Sequence, residues 1–191
     1  MATRKPKGYV GRNHETIGTD IVAVLQILKL PEQVLGVEEA TKLAAVKADD
    51  WYPIGWLIDL MEQLDSRIGQ YGLLRMGRTI FKNAHEATAR ERLHSARDIV
   101  YALDKLYRGS NRGTDIGGWR VLKFEPGYCE LEKNTPHHCL MEQGILSEAF
   151  AMVACPVMIT QKQCIRTGAD TCIYALTSSV IGMRWSGVPD T

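Results

Sequence analysis

The strongest constraint on this chain is a change of hydrophobic period near its middle. Up to about residue 108, apolar residues recur at three- and four-residue intervals; after Gly113 they alternate. The first period demands helices and the second demands half-buried strands. A chain that runs helices first and strands afterwards folds as α+β with an antiparallel sheet, not as a doubly wound parallel one.

Within the first half, Thr19 or Asp20 caps a helix with Ile21, Val24, Leu25 and Leu28 on one face. Pro31 interrupts it, and residues 32–46 form a weaker helix. Pro53 suits the first turn of a helix whose apolar face holds Ile54, Leu57, Ile58, Met61 and Leu64. The pattern continues through Ile68, Leu73, Leu74, Met76 and Ile80, where Gly69, Gly72 and Gly77 mark either a break or a close backbone approach. A long amphipathic helix is expected over 88–108, with Leu93, Ala96, Val100, Leu103 and Tyr107 inward.

In the second half, residues 109–113 read as a loop and 119–124 as a strand. Pro126-Gly127 turns into a partner strand over 128–132. Pro136 precedes a helix through Leu140, Ile145, Leu146, Ala149 and Phe150. Residues 155–159, 172–176 and 180–185 read as strands. The expected organisation is a flexible basic tail (1–16), a helical extension that serves dimerisation (17–46), a ligand-binding domain (47–186) and a short tail (187–191).

Lys plus Arg number 23 against 22 acidic residues, so no basic field draws the chain to nucleic acid or an anionic membrane. The longest apolar stretch, 150–159, contains Pro156 and is too short to span a bilayer. Met1-Ala2-Thr3-Arg4-Lys5 leads into polar sequence rather than a signal peptide, so a cytoplasmic location is expected. Gly-x-Gly-x-x-Gly, a phosphate loop, Gly-x-Ser-x-Gly and His-Glu-x-x-His are all missing, which removes the commonest nucleotide, hydrolase and zincin chemistries. Glu148 with His138 is the best acid/base pair on offer, and no residue is assigned a catalytic role.

The last third gathers soft ligands: His137, His138, Cys139, Cys155, Cys164 and Cys172. Cys164 and Cys172 flank a turn built on Gly168 and Asp170 and face each other as the ends of a hairpin. With His138 or Cys139 from the start of the preceding helix they offer a tetrahedral set suited to zinc. Two other readings stand beside it: buried thiols acting as small hydrophobes, and a redox pair.

The run Cys139-x4-Gly144, Glu148 and Cys164-x3-Gly168-x3-Cys172 resembles the C-terminal signature of the 4-vinyl-reductase-like domain family. That fold is shared with the sensor domains of phenol- and toluene-responsive activators and is related to the haem-nitric-oxide-binding and trafficking-complex subunit folds. Tyr52-Pro53, Trp56 and the 69–77 helix agree with its helical half. The resemblance implies a structural zinc on Cys164 and Cys172 with His138 and Cys139. Gln161 stands where the phenol sensors have a Glu ligand, so the site is either rebuilt with both His138 and Cys139, or with Cys155 as a substitute, or lost. It also implies a ligand pocket between helices and sheet, lined by Trp56, Leu60, Ile80, Phe81, His94, Tyr101, Trp119 and Phe124. The cofactors implied are the structural zinc and, on weaker grounds, haem or another tetrapyrrole, with His85 and His94 as candidate haem ligands.

The expected function is a non-enzymatic sensor of an apolar, aromatic or tetrapyrrole-like molecule. It would act as a homodimer through 20–45 and 53–64 and signal to a downstream protein. A dimeric scaffold and a tetrapyrrole reductase are the alternatives.

Overall fold

The computed structural model describes residues 13–187. The chain opens with β1 (Glu15–Ile17), followed by α1 (Gly18–Ile27), α2 (Pro31–Leu35), α3 (Val37–Ala44) and β2 (Trp51–Pro53). The long α4 (Ile54–Ile80) passes through a π-helical turn at Phe81–His85 into α5 (Glu86–Arg90) and α6 (Ala96–Ser110). The second half holds β3 (Asn111–Arg112), β4 (Trp119–Glu125), β5 (Tyr128–Lys133), α7 (Cys139–Met152), β6 (Met158–Gln163), β7 (Cys172–Thr177) and α8 (Met183–Ser186). The main sheet is antiparallel, in the order β4-β5-β7-β6, and a small one has the order β2-β1-β3. The α+β architecture expected from the change of period is the one found.

Several local expectations are corrected. Residues 15 and 16, assigned to the basic tail, belong to β1, where Thr16 is buried; residues 1–12 and 188–191 lie outside the described residues. The helix expected over 88–108 is two helices. Ser95 accepts a hydrogen bond from the Asp98 amide and caps α6, so the chain cannot continue helically from α5. Gly109 and Ser110 finish α6, and Asn111 and Arg112 pair with β1 instead of forming an open loop. The strand expected at 155–159 starts at Met158. The strand expected over 180–185 is α8, bounded by Gly182 and Gly187 in positive-φ conformations. Trp185 is buried there and stacks on Phe124.

Within 17–46, Ile21, Val24 and Leu43 are buried in one cluster with Leu57, Leu60, Met61 and Leu64 of α4, while Leu30 and Val37 stay exposed.

Two of the three α4 glycines act as expected. Gly69 breaks the helix with φ 65° and ψ −179°. Gly77 lies against α7: a Cβ there would overlap the Met141 carbonyl, and one at Gly144 would overlap the Leu74 carbonyl. The two helices therefore meet backbone to backbone. Gly144→Ala is expected to destabilise the fold by about 2–3 kcal/mol in urea unfolding, because neither backbone can retreat. Gly109→Ala, in open space within α6, is expected to be neutral or stabilising by up to about 1 kcal/mol.

Candidate functional site

Because α7 is drawn onto α4, α6 stands off from α7, and a cavity of about 620 Å³ opens between them. Its walls are Val24 of α1, Leu57 and Ile80 of α4, Phe81 of the π turn, Ile99 and Leu103 of α6, and Met141, Ile145 and Leu146 of α7. The spacing follows from helical period: 99, 102, 103 and 106 share one face of α6, and 141, 145 and 149 share one face of α7. Polar groups are few, and apart from His137 Nδ1 those deep in the wall are paired. His85 Nε2 lies 3.3 Å from Asp20 Oδ1. Glu142 pairs with Lys133, which is fully buried, and accepts from Thr135 Oγ1 at 2.7 Å. Lys133 Nζ also donates to the His137 carbonyl at 2.9 Å.

His137 sits in the lining with a defined tautomer. Asn111 Nδ2 donates to the Tyr107 carbonyl, which leaves Asn111 Oδ1 facing His137 Nε2 at 3.1 Å; that nitrogen must be the donor. Its Nδ1 has no hydrogen-bond partner and is closed to solvent-sized contact. Burial pushes the imidazole down to about 4, with Lys133 adding to the effect and Asp20 opposing it.

Of the eight residues expected to line the pocket, Ile80, Phe81 and Trp119 do so, and Leu60 is buried in the core beside Leu57 and Met61. Trp56 packs beside Tyr52. Tyr101 is exposed beside Phe124, and Phe124 stacks on Trp185. His94 is exposed, with its amide on Asp98. Those four stand outside the cavity: His94 lies in the break before α6, Tyr101 is on the exposed side of α6, and Trp56 on α4 and Phe124 on β4 pack against other rings. Leu103, Met141, Ile145 and His137 are among the lining residues the sequence reading missed as ligand contacts, although the spacing on α7 was available to find Met141 and Ile145. Glu148, the expected partner of His138, pairs instead with Lys82 at 3.1 Å.

The second cluster lies at the other end of α7. Cys139 opens that helix, while Cys164 and Cys172 close the β6–β7 hairpin. Their sulfurs all lie within 4.8 Å of one another, with Cys139 to Cys172 at 3.3 Å and Cys164 to Cys139 at 3.6 Å. Hydrogen bonding from Cys172 draws the Cys139 thiol down to about 4 against its burial, assisted by the Lys133 charge and by the Cys164 and Gln161 side chains. The same bond, with burial, holds the proton on Cys172. His138 is not part of this group. Its Nε2 lies 3.5 Å from Asp65 Oδ2 on α4, beside Arg166, which grips Glu62 and Asp65. Cys155 is also elsewhere, against Ser178 and the Val180 carbonyl.

No known protein family profile matches the sequence, and no curated protein matches it. Solved structures do match the fold. An H-NOX protein from S. oneidensis in the Fe(II) ligation state aligns with TM-score 0.66 at 14% identity, over 88% of this chain and 99% of that one. The Fe(II) unliganded H-NOX protein from K. algicida aligns with TM-score 0.61 at 10% identity, over 86% and 97%. A T. tengcongensis H-NOX mutant aligns with TM-score 0.60 at 8% identity, over 86% and 98%. These neighbours carry the haem-nitric-oxide-binding part of the expected fold. They do not carry the 4-vinyl-reductase-like or phenol-sensor assignment, whose one specific match is the cysteine hairpin.

The neutral, buried His137 makes stability depend on pH. The unfolded chain takes up a proton near pH 6.5 and the folded one near 4, so the stabilisation is full above 6.5 and is lost as pH falls through 4. The loss reaches about 3 kcal/mol. Urea unfolding between pH 7 and 4 is expected to show this fall, and His137→Gln is expected to flatten it; parallel curves for the two proteins would contradict the assignment.

Proposed function

We propose that this chain is a sensory domain that binds a small, mainly apolar molecule between α4, α6 and α7 and reports its presence to another protein. The observation that carries the reading is the cavity itself. It has the size and apolar lining of a small-molecule site, and it sits where helices from both halves of the chain meet. A ligand there bridges the α4–α7 pair to α6. It shifts the domain between states only insofar as it binds one arrangement of those helices better than another. An acid/base pair of the kind an enzyme needs is not assembled by Glu148 and His138, which favours sensing over catalysis.

Haem is the cofactor that the fold's iron-bearing neighbours suggest, and the donor set does not fit its iron. On the α6 wall Ile99, Ala102, Leu103 and Leu106 do not ligate iron, and the Tyr107 hydroxyl is spent on the Ile116 carbonyl at 2.7 Å. His137 spends Nε2 on Asn111, and its Nδ1 is closed off. His85 points its Nε2 at Asp20. The cavity is therefore read as a site for an organic ligand held by its apolar body, with no step assigned to iron.

A second reading is favoured by the sulfur cluster. Three sulfurs within one ion's reach suit a soft metal, and zinc is the natural occupant, acting as a structural pin between α7 and the β6–β7 hairpin. The ligands are Cys139, Cys164 and Cys172. Gln161 accepts from Gln143 Nε2 at 2.9 Å and brings no carboxylate to the set.

Native mass spectrometry combined with titration by the neutral dye Nile red tests both readings. The expected result is one dye per chain, abolished in Leu103→Trp, and one zinc per chain, abolished in Cys172→Ser. Added hemin is expected to give no imidazole-ligated spectrum. A failure to bind dye would contradict the cavity reading. A metal-free chain with three free thiols at the cluster would contradict the second reading. A histidine-ligated haem spectrum lost in His85→Ala or His137→Ala would overturn the exclusion of iron.

A further inference from the structure

The cavity is apolar along its walls and cationic at its mouth. Arg92, in the segment between α5 and α6, and Lys105 on α6 both contribute to its lining. The same two side chains, with Leu93 and Ala102, also line an open shelf on the outer side of α6. These four residues are thus a shared wall, apolar on the cavity side and basic at the edge.

The charges at this edge are not neutralised. Among the described residues neither Arg92 nor Lys105 has an ion-pair partner. Of the carboxylates nearby, Asp20 faces His85 and Glu142 holds Lys133. Asp98, on the shelf itself, accepts from Ser95 and the His94 amide and sets one negative charge against the three cations there. A third cation on the shelf, Arg97, lies over the Tyr101 ring at 5.0 Å and adds to the same field.

An apolar chamber that opens past unpaired cations is complementary to one kind of molecule. We propose that the ligand is an anionic amphiphile, whose hydrocarbon or aromatic body fills the cavity while a carboxylate or phosphate head is held by Arg92 and Lys105. The proposal rests on the cavity being the ligand site and adds the ligand's chemical class. The body supplies affinity in proportion to the apolar surface it buries, about four-fold for each added methylene. The head supplies selection for the anion over a neutral analogue, about ten-fold or more for a charge-assisted pair. Because the mouth is solvent-exposed, that selection weakens as salt rises.

The test is displacement of Nile red from the full-length protein by dodecanoate, dodecyl phosphate and dodecanol, all below their aggregation concentrations, with decanoate added for chain length. Both anions are expected to displace the dye at least about ten-fold more tightly than dodecanol, with decanoate about fifteen-fold weaker than dodecanoate. The order of the two anions tells which head the mouth prefers. In the double variant Arg92→Gln with Lys105→Gln, the anions are expected to fall to the level of dodecanol while dodecanol and Nile red keep their affinities. Arg67→Gln, a charge removed from the exposed side of α4, is the control and is expected to change nothing. Dodecanol binding as tightly as dodecanoate, or a double variant that still prefers the anions, would overturn the head-group assignment and leave the cavity reading intact. Nile red failing to bind at all would instead remove the cavity reading and this proposal with it.

Discussion

Everything functional in this fold depends on the contact of α4 with α7 through Gly77 and Gly144. Without side chains at those positions the two backbones come together, and the carbonyls of Leu74 and Met141 occupy the space that Cβ atoms would take. That contact fixes where α7 points. Its apolar face, Met141, Ile145 and Ala149, is carried under α6 without touching it closely, and the interval becomes the cavity. Its first residue, Cys139, is carried to the β6–β7 hairpin, where it meets Cys164 and Cys172. One helix thereby serves two sites.

The space between the sites is unusually polar for a core. Lys133 is fully buried between the Glu142 carboxylate on the cavity side and the cysteine sulfurs on the other, and its hydrogen bond to the His137 carbonyl ties it to the cavity lining. Burial drives the Lys133 ammonium down, while the charge on the Cys139 sulfur resists that shift. Such a charge is stable only while its partners stay in place. A change at the sulfurs and a change in the cavity therefore act on one set of buried charges. Arg166 adds a mechanical tie, joining the hairpin that holds two of the cysteines to Glu62 and Asp65 on α4.

The layout was legible in the sequence wherever periodicity was unambiguous. The α+β order, β4, β5, α7 and β7 were readable from alternation and helical spacing, and Gly69 and Gly77 were readable as a break or a close approach. The cysteine set was legible too, less its histidine: Cys139, Cys164 and Cys172 do come together, whereas His138 turns towards Asp65. What failed was decided by single capping residues. Ser95 looked like one more polar position on a long helix, yet as an N-cap it splits 88–108 and leaves His94 in the break, outside the cavity. Gly182 turned an apparent strand into α8 in the same way. The pairing of β3 with β1 joins residues about a hundred positions apart, and no local pattern announces that.

The account's central claim is that a ligand enters between α6 and α7 and bridges them. Amide hydrogen exchange on the protein with and without saturating Nile red measures this directly. Slowed exchange is predicted in α6, in the N-terminal half of α7 and in the π turn at 81–85, with the β4-β5-β7-β6 sheet unchanged. Protection confined to the sheet, or to the α1–α3 surface, would contradict it.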